Sequence, residues 1–469
     1  MQDGNIAGQS FFFVGVGGSG MMPLAMILAG RGATVSGSDR GLDQGRVPAK
    51  FADLEAKGVR LFPQDGSGIV SADQIVVASA AVEPTVADMV AADRLGCRRM
   101  SRAELNAALF NASRLPIGVA GTSGKSTVTG MIARILHDAG LDPTVMNGAV
   151  MKDFAAADRP FASALVGEGD PYVSEVDESD GSIALYAPRI AVLNNVSLDH
   201  KSLDELNVLF GDFIGKAGMA IVNAGNPDAA ALAMRLPRDR VMTFALGGEA
   251  DLTPVDIQEQ PFAVSFSLRG TRIRLNVPGK HNVANALAAT GAALAAGVSF
   301  EAAAAAIGRY MGLKRRFDLV GEAGGVAVID DFGHNPDKIA ATLATLHAFP
   351  GRLLLLFQPH GYGPLKTMRS ELVETFAQGL GADDLLVLPD PVYQGGTVTR
   401  DVTSADIVRD ISVTGGNARH IADRAAAAAH LVANARAGDR IVVMGARDDT
   451  LPLLAADMVA QLRARDNVA

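Results

Sequence analysis

The chain has 469 residues, a formal net charge of −9 and a single cysteine, Cys97. This length exceeds one ordinary hydrophobic core, so we expect several domains. The acidic balance argues against nucleic acid as a general partner. One cysteine excludes an intrachain disulfide and favours a reducing, cytoplasmic location. No apolar tract reaches the roughly eighteen residues of a membrane helix, so we expect no membrane segment.

The N-terminal segment has the pattern of a nucleotide-binding half-fold. An apolar strand over 11–14 runs into a glycine loop that opens a helix, and Asp39 follows the next predicted strand. The loop glycines are Gly15, Gly17, Gly18 and Gly20. Any ligand with a diphosphate next to a ribose could use this geometry. Asp39 is therefore predicted either as a ribose acceptor or as an ordinary acid at a strand end.

The strongest local signal is a second glycine loop, between an apolar run at 117–120 and a helical pattern over 128–136. Its residues are Gly121, Thr122, Ser123, Gly124, Lys125, Ser126 and Thr127. Strand, glycine loop and helix together predict a phosphate-binding loop, in which Lys125 reaches the β- and γ-phosphates and Ser126 contacts Mg²⁺. Val119 stands where the full pattern has glycine, and the alternative is a tight turn that contains a lysine.

Acidic and histidine residues follow two later strand patterns. Four carboxylates fall within 175–180, beginning with Glu175, and His200 lies beside Asp199 after the apolar run 190–193. Mg²⁺ prefers oxygen ligands, so one or two carboxylates with Ser126 would suffice, with His200 on the metal or beside it. The alternative for the acidic passage is a solvated loop.

Asn282 and Asn285 lie three positions apart at the start of an alanine-rich helix, so both amides face one side of its first turn. Two such amides suit a purine edge or a phosphate, although capping of the helix by Asn282 explains that residue equally well. A basic cluster over 314–316, which includes Arg316, could neutralise charge on a transferring group.

A third α/β pattern occupies the C-terminal part of the chain. Asp331 and His334 follow the predicted strand 326–329, and His360 follows the predicted strand 353–357. In open parallel sheets, ligands bind at the carboxyl ends of the strands. These three polar side chains are therefore candidates for substrate or nucleotide contacts.

The order and spacing of these motifs resemble the Mur ligase family over nearly the whole chain. The segments that carry the resemblance are 15–21, 36–39, 121–125, 175–180, 195–200, 281–285, 315–318, 330–336 and 358–360. The resemblance implies an α/β fold with three domains. These are a Rossmann-like UDP-substrate domain at 1–112, a central P-loop ATPase with a mostly parallel sheet at 113–316, and a Rossmann-like C-terminal domain at 317–469.

The resemblance also implies an activity, an ATP- and Mg²⁺-dependent amide ligation. In the alanine-adding branch, which this chain resembles most, an amino acid is joined to the carboxylate of UDP-N-acetylmuramate through an acyl phosphate. Its partners would be a UDP-sugar and an amino acid, in the cytoplasm, with the protein a monomer or a weak homodimer. The family pattern assigns the metal to Ser126, Glu175 and His200. It assigns ATP binding to the 121–127 loop, Asn282, Asn285, Arg316 and Asp331, and catalysis to Lys125, Glu175, His200 and Arg316. Substrate binding falls to the Gly15–Gly20 loop, Asp39, His334 and His360.

Three departures from the alanine-adding pattern bear on specificity. Ser123 replaces a histidine, Ser126 replaces a threonine and Gly361 replaces an arginine that could grip a carboxylate. We therefore expect permissive amine selection, with His360, Lys366 or Arg369 supplying positive charge. Alternatives are a murein-peptide-recycling ligase, a related ligase of changed specificity, a nicotinamide-dependent oxidoreductase and a non-catalytic nucleotide-binding regulator.

The N-terminal glycine loop gives a direct test between the ligase and the oxidoreductase. We expect a UDP-sugar to raise the thermal unfolding temperature and NAD to leave it unchanged. A ligand at 100 times its dissociation constant stabilises the folded state by about 2.7 kcal/mol, which thermal melts resolve easily. Protection by NAD without protection by a UDP-sugar would contradict the ligase interpretation.

Overall fold

The apolar runs of the sequence form the central strands of three parallel or mostly parallel sheets. A computed structural model describes residues 6–79, 82–197, 201–392, 400–446 and 448–466. The chain forms two compact units, one of Met1–Glu259 with Ala263–Leu313 and one of Gln260–Phe262 with Lys314–Ala469. The first unit contains two of these sheets and the second unit contains the third.

The first sheet has five parallel strands in the order β3-β2-β1-β4-β5. The strands are β1 (Ser10–Val14), β2 (Thr34–Ser38), β3 (Arg60–Phe62), β4 (Ile75–Ala78) and β5 (Arg99–Ser101). The helices are α1 (Met21–Gly30), α2 (Arg40–Asp43), α3 (Pro48–Ala56), α4 (Ala87–Leu95) and α5 (Arg102–Ala112). The last four side chains of β1 are fully buried, as expected for a central strand covered on both faces.

The second sheet has seven strands in the order β12-β11-β10-β6-β9-β7-β8, and only β8 pairs antiparallel. The strands are β6 (Leu115–Ala120), β7 (Thr144–Met146), β8 (Ala164–Leu165), β9 (Pro171–Glu175), β10 (Ile190–Leu193), β11 (Met219–Asn223) and β12 (Val241–Phe244). The helices that follow β6 are α6 (Lys125–Asp138), α7 (Leu203–Lys216), α8 (Pro227–Ala233), α9 (Lys280–Ala295) and α10 (Phe300–Arg309), with 3₁₀ turns at Ser182–Leu185 and Arg238–Arg240. The predicted mostly parallel central sheet is confirmed.

In chain order, a small antiparallel sheet follows β12 and precedes α9. It consists of β13 (Val255–Gln260), β14 (Ala263–Leu268) and β15 (Thr271–Leu275). Strands β14 and β15 form a hairpin around Gly270, which has a φ of 81°, as suits a tight turn. Strand β13 escaped prediction because its side chains are exposed or half-buried and show no apolar alternation.

The second unit is built on a six-stranded sheet in the order β16-β17-β21-β18-β19-β20, in which only β16 pairs antiparallel. The strands are β16 (Asp318–Ala323), β17 (Val326–Asp331), β18 (Leu353–Phe357), β19 (Leu385–Leu388), β20 (Ala418–His420) and β21 (Arg440–Met444). The helices are α11 (Pro336–His347), α12 (Tyr362–Thr367), α13 (Arg369–Gly379), α14 (Ser404–Val413), α15 (Arg424–Asn434) and α16 (Leu451–Asp466). Within the described ranges, none of the helices combines the length and apolar character needed to cross a lipid bilayer.

Asp330 is an unusual buried acid in the centre of the second unit. It lies on β17, its side chain is 1% exposed, and its nearest ionic partner is Arg315, whose Nε lies 3.5 Å from Oδ2. Burial, with further repulsion from Asp318 and Asp331, raises the pKa of Asp330 to about 7 although Arg315 opposes the shift. An acid whose pKa is higher in the folded state stabilises that state most at low pH and loses the contribution as pH rises toward 7.

We therefore predict that Asp330→Asn gains stability relative to the wild type as pH rises from about 4 to about 7.5, because asparagine carries no buried charge. Chemical denaturation of both proteins across this range measures the difference in unfolding free energy. The exposed Asp457→Asn variant serves as the control, with a difference that stays flat over the same range. A flat difference for Asp330→Asn as well would show that Asp330 has no raised pKa.

Candidate active site

The second glycine loop has the predicted strand–loop–helix geometry. It joins β6 to α6, which begins at Lys125. Gly121 and Gly124 have φ values of 134° and 83°, and a Cβ at Gly124 would collide with the side chains of Asn194 and Asn285. Only glycine fits there, because the chain turns sharply and other groups approach its backbone. The free N–H groups at the start of α6 thus open beside the loop.

Side chains that follow β10 hold this loop from the neighbouring strand end. Asn195 Oδ1 accepts from Ser123 N at 2.8 Å, and Asn195 Nδ2 donates to Ser123 Oγ at 2.9 Å. Thr122 Oγ1 donates to Ser197 O and accepts from Ser197 N. Ser123, which stands where the family pattern has histidine, is therefore part of a hydrogen-bonded clamp on the loop.

Asn282 and Asn285 extend this support from α9. Asn285 Nδ2 donates to Asn282 Oδ1 at 3.0 Å, and Asn194 Nδ2 donates to Asn285 Oδ1 at 2.9 Å and to Ser123 O at 3.0 Å. Both α9 amides are buried. The two amides share one side of the helix, as predicted, but their described contacts brace the phosphate loop, and a direct contact with nucleotide stays a prediction.

Lys125 lies in the loop with a buried negative partner. Its Nζ donates to Glu178 Oε2 at 2.9 Å and to Gly121 O at 2.7 Å, and the two charged side chains are only 18% and 7% exposed. Glu178 was not among the predicted site residues, although it lies in the acidic passage. Any phosphate that Lys125 binds has to compete with this carboxylate or share the ammonium group with it.

Ser126 and Glu175 come together as predicted for a metal site. Ser126 Oγ donates to Glu175 Oε2 at 3.0 Å, and Glu175 Oε1 accepts from Gly148 N at 2.5 Å. A hydroxyl and a carboxylate oxygen are ligands that Mg²⁺ prefers, so this pair fits the ion. Within the described part of the chain, no group of three histidine, cysteine or acidic side chains is placed to hold a metal. His200, the third predicted ligand, lies outside the described residues.

The N-terminal glycine loop is closed by Asp39. Gly17 N donates to Asp39 Oδ2 at 2.8 Å and Gly41 N donates to Asp39 Oδ1 at 2.7 Å, so the carboxylate also caps α2. Gly15 has a φ of 80°, as the tight turn requires, and Gly18 and Gly20 lead into α1. Asp39 thus positions the loop backbone, and its contact with a ribose stays a prediction.

In the second unit, Arg316 and Asp331 belong to one strained turn. Arg315 and Phe317 both have positive φ, 62° and 49°, which is costly for residues other than glycine. Asp331 Oδ2 accepts from Phe317 N at 2.8 Å and its Oδ1 accepts from Gly333 N at 2.8 Å. The guanidinium of Arg316 lies 4.9 Å from the centre of the Phe332 ring. The described contacts of Asp331 shape this turn, and contacts of either residue with ATP stay predictions.

His334 and His360 meet edge to face at the carboxyl ends of β17 and β18. Their ring centres are 5.3 Å apart, and His334 Nδ1 lies 2.9 Å from Phe332 O. Burial lowers the pKa of His334 to about 4, so this ring is neutral at physiological pH. The structure thus brings the two predicted substrate histidines together.

The expected cations near Gly361 are already paired. Lys366 Nζ lies 2.8 Å from Asp401 Oδ2, and Arg369 donates twice to Asp410 Oδ2, at 2.8 and 2.6 Å. We expected one of them to supply positive charge for an amino acid, and these acids neutralise both. Gly361 itself has φ 140° and ψ 162°, a backbone region that is almost exclusive to glycine. An arginine at this position would therefore be strained, which the sequence did not indicate.

The fold and the loop at 121–127 define an α/β nucleotide-binding protein of the phosphate-loop class. Three successive parts of the chain match the sequence models of Mur ligase domains. The "Mur ligase family, catalytic domain" matches 10–114, the "Mur ligase middle domain" matches 119–293 and the "Mur ligase, glutamate ligase domain" matches 315–447. The chain belongs to the Mur ligase family, and it is an ATP-dependent ligase with the three-domain α/β architecture of that family.

Individual relatives are similar over almost the whole chain. The UDP-N-acetylmuramate–L-alanine ligase of Streptomyces coelicolor is 36% identical over 453 residues, which cover 93% of this chain and 95% of the relative. The enzyme of the same name from Desulfosudis oleivorans is 35% identical, with the same coverage of both chains. The UDP-N-acetylmuramate–alanine ligase structure from Thermotoga maritima shares the fold with a TM-score of 0.78 at 22% identity, covering 97% of this chain and 99% of that one. Family membership overturns the oxidoreductase interpretation, whereas the exact limits of the three domains stay predictions.

The ion pair between Lys125 and Glu178 leads to a test in which substitutions of the two partners have opposite effects on the interaction with ATP. We predict that Lys125→Ala abolishes ATP turnover in a folded protein, because the loop loses its phosphate-binding cation. Glu178→Gln should instead bind ATP about three- to tenfold more tightly, because a negative charge beside a phosphate costs on the order of 1 kcal/mol.

Phosphate release measures the ATP turnover of Lys125→Ala, equilibrium titration with a non-hydrolysable ATP analogue measures the affinity of Glu178→Gln, and far-UV circular dichroism checks the fold of both. Glu168→Gln, which alters an exposed acid of the same unit, should leave the affinity unchanged. Weaker nucleotide binding by Glu178→Gln would mean that Glu178 holds Lys125 in its phosphate-binding position and does not compete with the phosphate.

Proposed function

We propose that this protein joins L-alanine to the carboxylate of UDP-N-acetylmuramate, cleaves ATP to ADP and phosphate, and so supplies peptidoglycan precursors in the cytoplasm. The observation that carries the proposal is the cluster of Lys125, Ser126 and Glu175 at the loop after β6. The names of the relatives that match along almost the entire chain support the choice of substrates.

The proposed chemistry has two steps. A carboxylate oxygen of the acid substrate attacks the γ-phosphorus of ATP, ADP leaves, and an acyl phosphate forms. The amine nitrogen then attacks the acyl carbon, loses a proton, and expels phosphate. Both steps gather negative charge, and we propose that Lys125 and the N–H groups at the start of α6 stabilise it.

Ser126 and Glu175 are the residues that we propose would hold Mg²⁺, with His200 as a third. Bound there, the ion would neutralise charge on the phosphates of ATP. The hydrogen bond between Gly148 N and Glu175 keeps the carboxylate aimed at the Ser126 hydroxyl. Hydrogen bonds within the chain would therefore hold both proposed Mg²⁺ ligands, the Ser126 hydroxyl and the Glu175 carboxylate, in position.

The amine site is where this chain departs from its branch of the family. Gly361 offers no side chain, and the cations at Lys366 and Arg369 are neutralised by their own acids. His334 stays neutral at physiological pH, so it can orient the amine substrate by hydrogen bonding without adding charge. We therefore propose permissive selection, since one methyl group discriminates by only about 1–3 kcal/mol.

One other activity remains as an outcome of the same assay. A ligase that adds a murein peptide would reject free amino acids. The fold does not separate these possibilities, because the murein peptide ligase of Psychrobacter arcticus also shares it, with a TM-score of 0.69 at 24% identity over 97% of this chain and 99% of that one. We propose a monomer or a weak homodimer.

The test is ligation with ATP, Mg²⁺ and UDP-N-acetylmuramate, followed by phosphate release and by mass spectrometry of the product. We expect L-alanine to be used, with glycine and L-serine within about tenfold of it in kcat/KM. Omission of Mg²⁺ and the Lys125→Ala variant are the controls. A preference for alanine above about a hundredfold would contradict permissive selection, and ligation of a tripeptide alone would favour the recycling ligase.

The Gly361→Arg variant tests whether the backbone at position 361 requires glycine. The ψ and φ of Gly361 predict a loss of about 1–3 kcal/mol of unfolding free energy in this variant. Gly363→Arg, two positions later and inside α12, is the matched control for adding the same charge nearby. Equal stability of Gly361→Arg and wild type would mean that the loop relaxes and accepts the side chain.

A further inference from the structure

Arg102 lies directly over the N-terminal glycine loop. It is the first residue of α5, and a Cβ added to Gly20 would lie 2.8 Å from Arg102 Cδ and 3.1 Å from its Nη1. Gly20 has ordinary negative φ, so its lack of a side chain serves to admit the arginine and not to relieve the backbone. The guanidinium group therefore approaches the loop that is proposed to bind the diphosphate.

The other side of Arg102 faces the acidic passage of the second sheet. Its Nη2 lies 3.9 Å from Asp180 Oδ2, and Asp180 is two positions from Glu178, the partner of Lys125. Both glycine loops belong to the same compact unit. Arg102 and Lys125 thus contact the same short acidic segment from the directions of the two loops.

The guanidinium of Arg102 has unused binding capacity. Its contact with Asp180 is long, the two side chains are 26% and 40% exposed, and such a pair contributes little to stability. In the part of the chain that the structure describes, the Arg102 guanidinium donates no hydrogen bond, although it carries five N–H groups and also acts electrostatically on Asp177. A partly desolvated, planar cation in this state is suited to bidentate contact with a phosphate or carboxylate.

We infer that Arg102 binds an anionic oxygen of UDP-N-acetylmuramate and positions that substrate between the two glycine loops. This inference rests on the proposed function. The substrate has to extend from its diphosphate at the first loop to its reactive carboxylate at the second, and Arg102 lies along that route. The shared chemistry is an oxyanion, from either the diphosphate or the carboxylate.

The test is equilibrium titration of the full-length wild type, Arg102→Gln and Arg102→Lys with three ligands. These are UDP-N-acetylmuramate, UDP-N-acetylglucosamine, which has the diphosphate but lacks the carboxylate, and a non-hydrolysable ATP analogue. We expect Arg102→Gln to weaken UDP-N-acetylmuramate at least tenfold and to leave the ATP analogue within twofold. Arg102→Lys should fall between, because lysine keeps the charge without the planar fork.

The sugar ligands identify which anion Arg102 holds. Equal weakening of both UDP-sugars assigns the diphosphate, and weakening of UDP-N-acetylmuramate alone assigns the carboxylate. Gly20→Ala should mimic Arg102→Gln by displacing the side chain, and the two changes together should be less than additive. Arg114→Gln, an exposed arginine just beyond the end of α5, is the matched control and should bind all three ligands as the wild type does.

Two results would overturn the inference while leaving the proposed function intact. One is unchanged binding of UDP-N-acetylmuramate by Arg102→Gln. The other is an equal loss of all three ligands, which would indicate general disruption of the unit. Failure of the wild type itself to bind UDP-N-acetylmuramate would instead overturn the proposed function, and this inference with it.

Discussion

The position of β6 between β9 and β10 is the constraint on which the candidate site depends. Val119 pairs with Glu175 on one side, and Ala120 pairs with Leu193 on the other. Because the strands are parallel, their carboxyl ends meet at one edge, where the loop, the acid and the asparagines converge. A shift of one residue in either pairing would turn the side chains to the opposite face and separate them.

Support for the loop comes from polar groups that the fold takes out of water. The amide chain through Asn194, Asn282 and Asn285 pairs the side-chain N–H groups of Asn194 and Asn285 with oxygen acceptors, which stabilises a buried polar network. Among the described residues, Asn194 Oδ1 has no hydrogen-bond partner. Helix α9, which supplies two of these amides, packs against α6, and alanine is the most frequent of its buried residues. Close helix packing and loop positioning are therefore parts of the same arrangement.

Backbone strain serves a similar purpose in the second unit. Arg315 and Phe317 hold positive φ because Asp331 accepts from Phe317 N, while Arg315 donates to Gly445 O at 2.6 Å and to Asp448 O at 3.1 Å. These contacts offset the cost of the turn and leave Arg316 over the Phe332 ring. The buried carboxyl group of Asp330 lies next to Arg315 of this turn.

The sequence by itself determined the local features, namely the strands and helices that depend on residues close together along the chain. The strand before each glycine loop and the helix after it were predicted and are confirmed, because the period of the apolar residues decides them. The order of motifs along the chain was sufficient to indicate the family. The weakly patterned strand β13 was missed because its pairing, and not its own composition, makes it a strand.

Only the tertiary structure decided which side chains meet. Lys125 and Glu178 are 53 positions apart, and Arg102 and Gly20 are further apart still, so no local pattern could pair them. Asp39 was predicted from spacing, but its two hydrogen bonds to backbone N–H groups appear only in the folded loop. The strained φ of Gly361 and the neutralised Arg369 likewise depend on contacts distant in sequence, which a linear pattern does not encode.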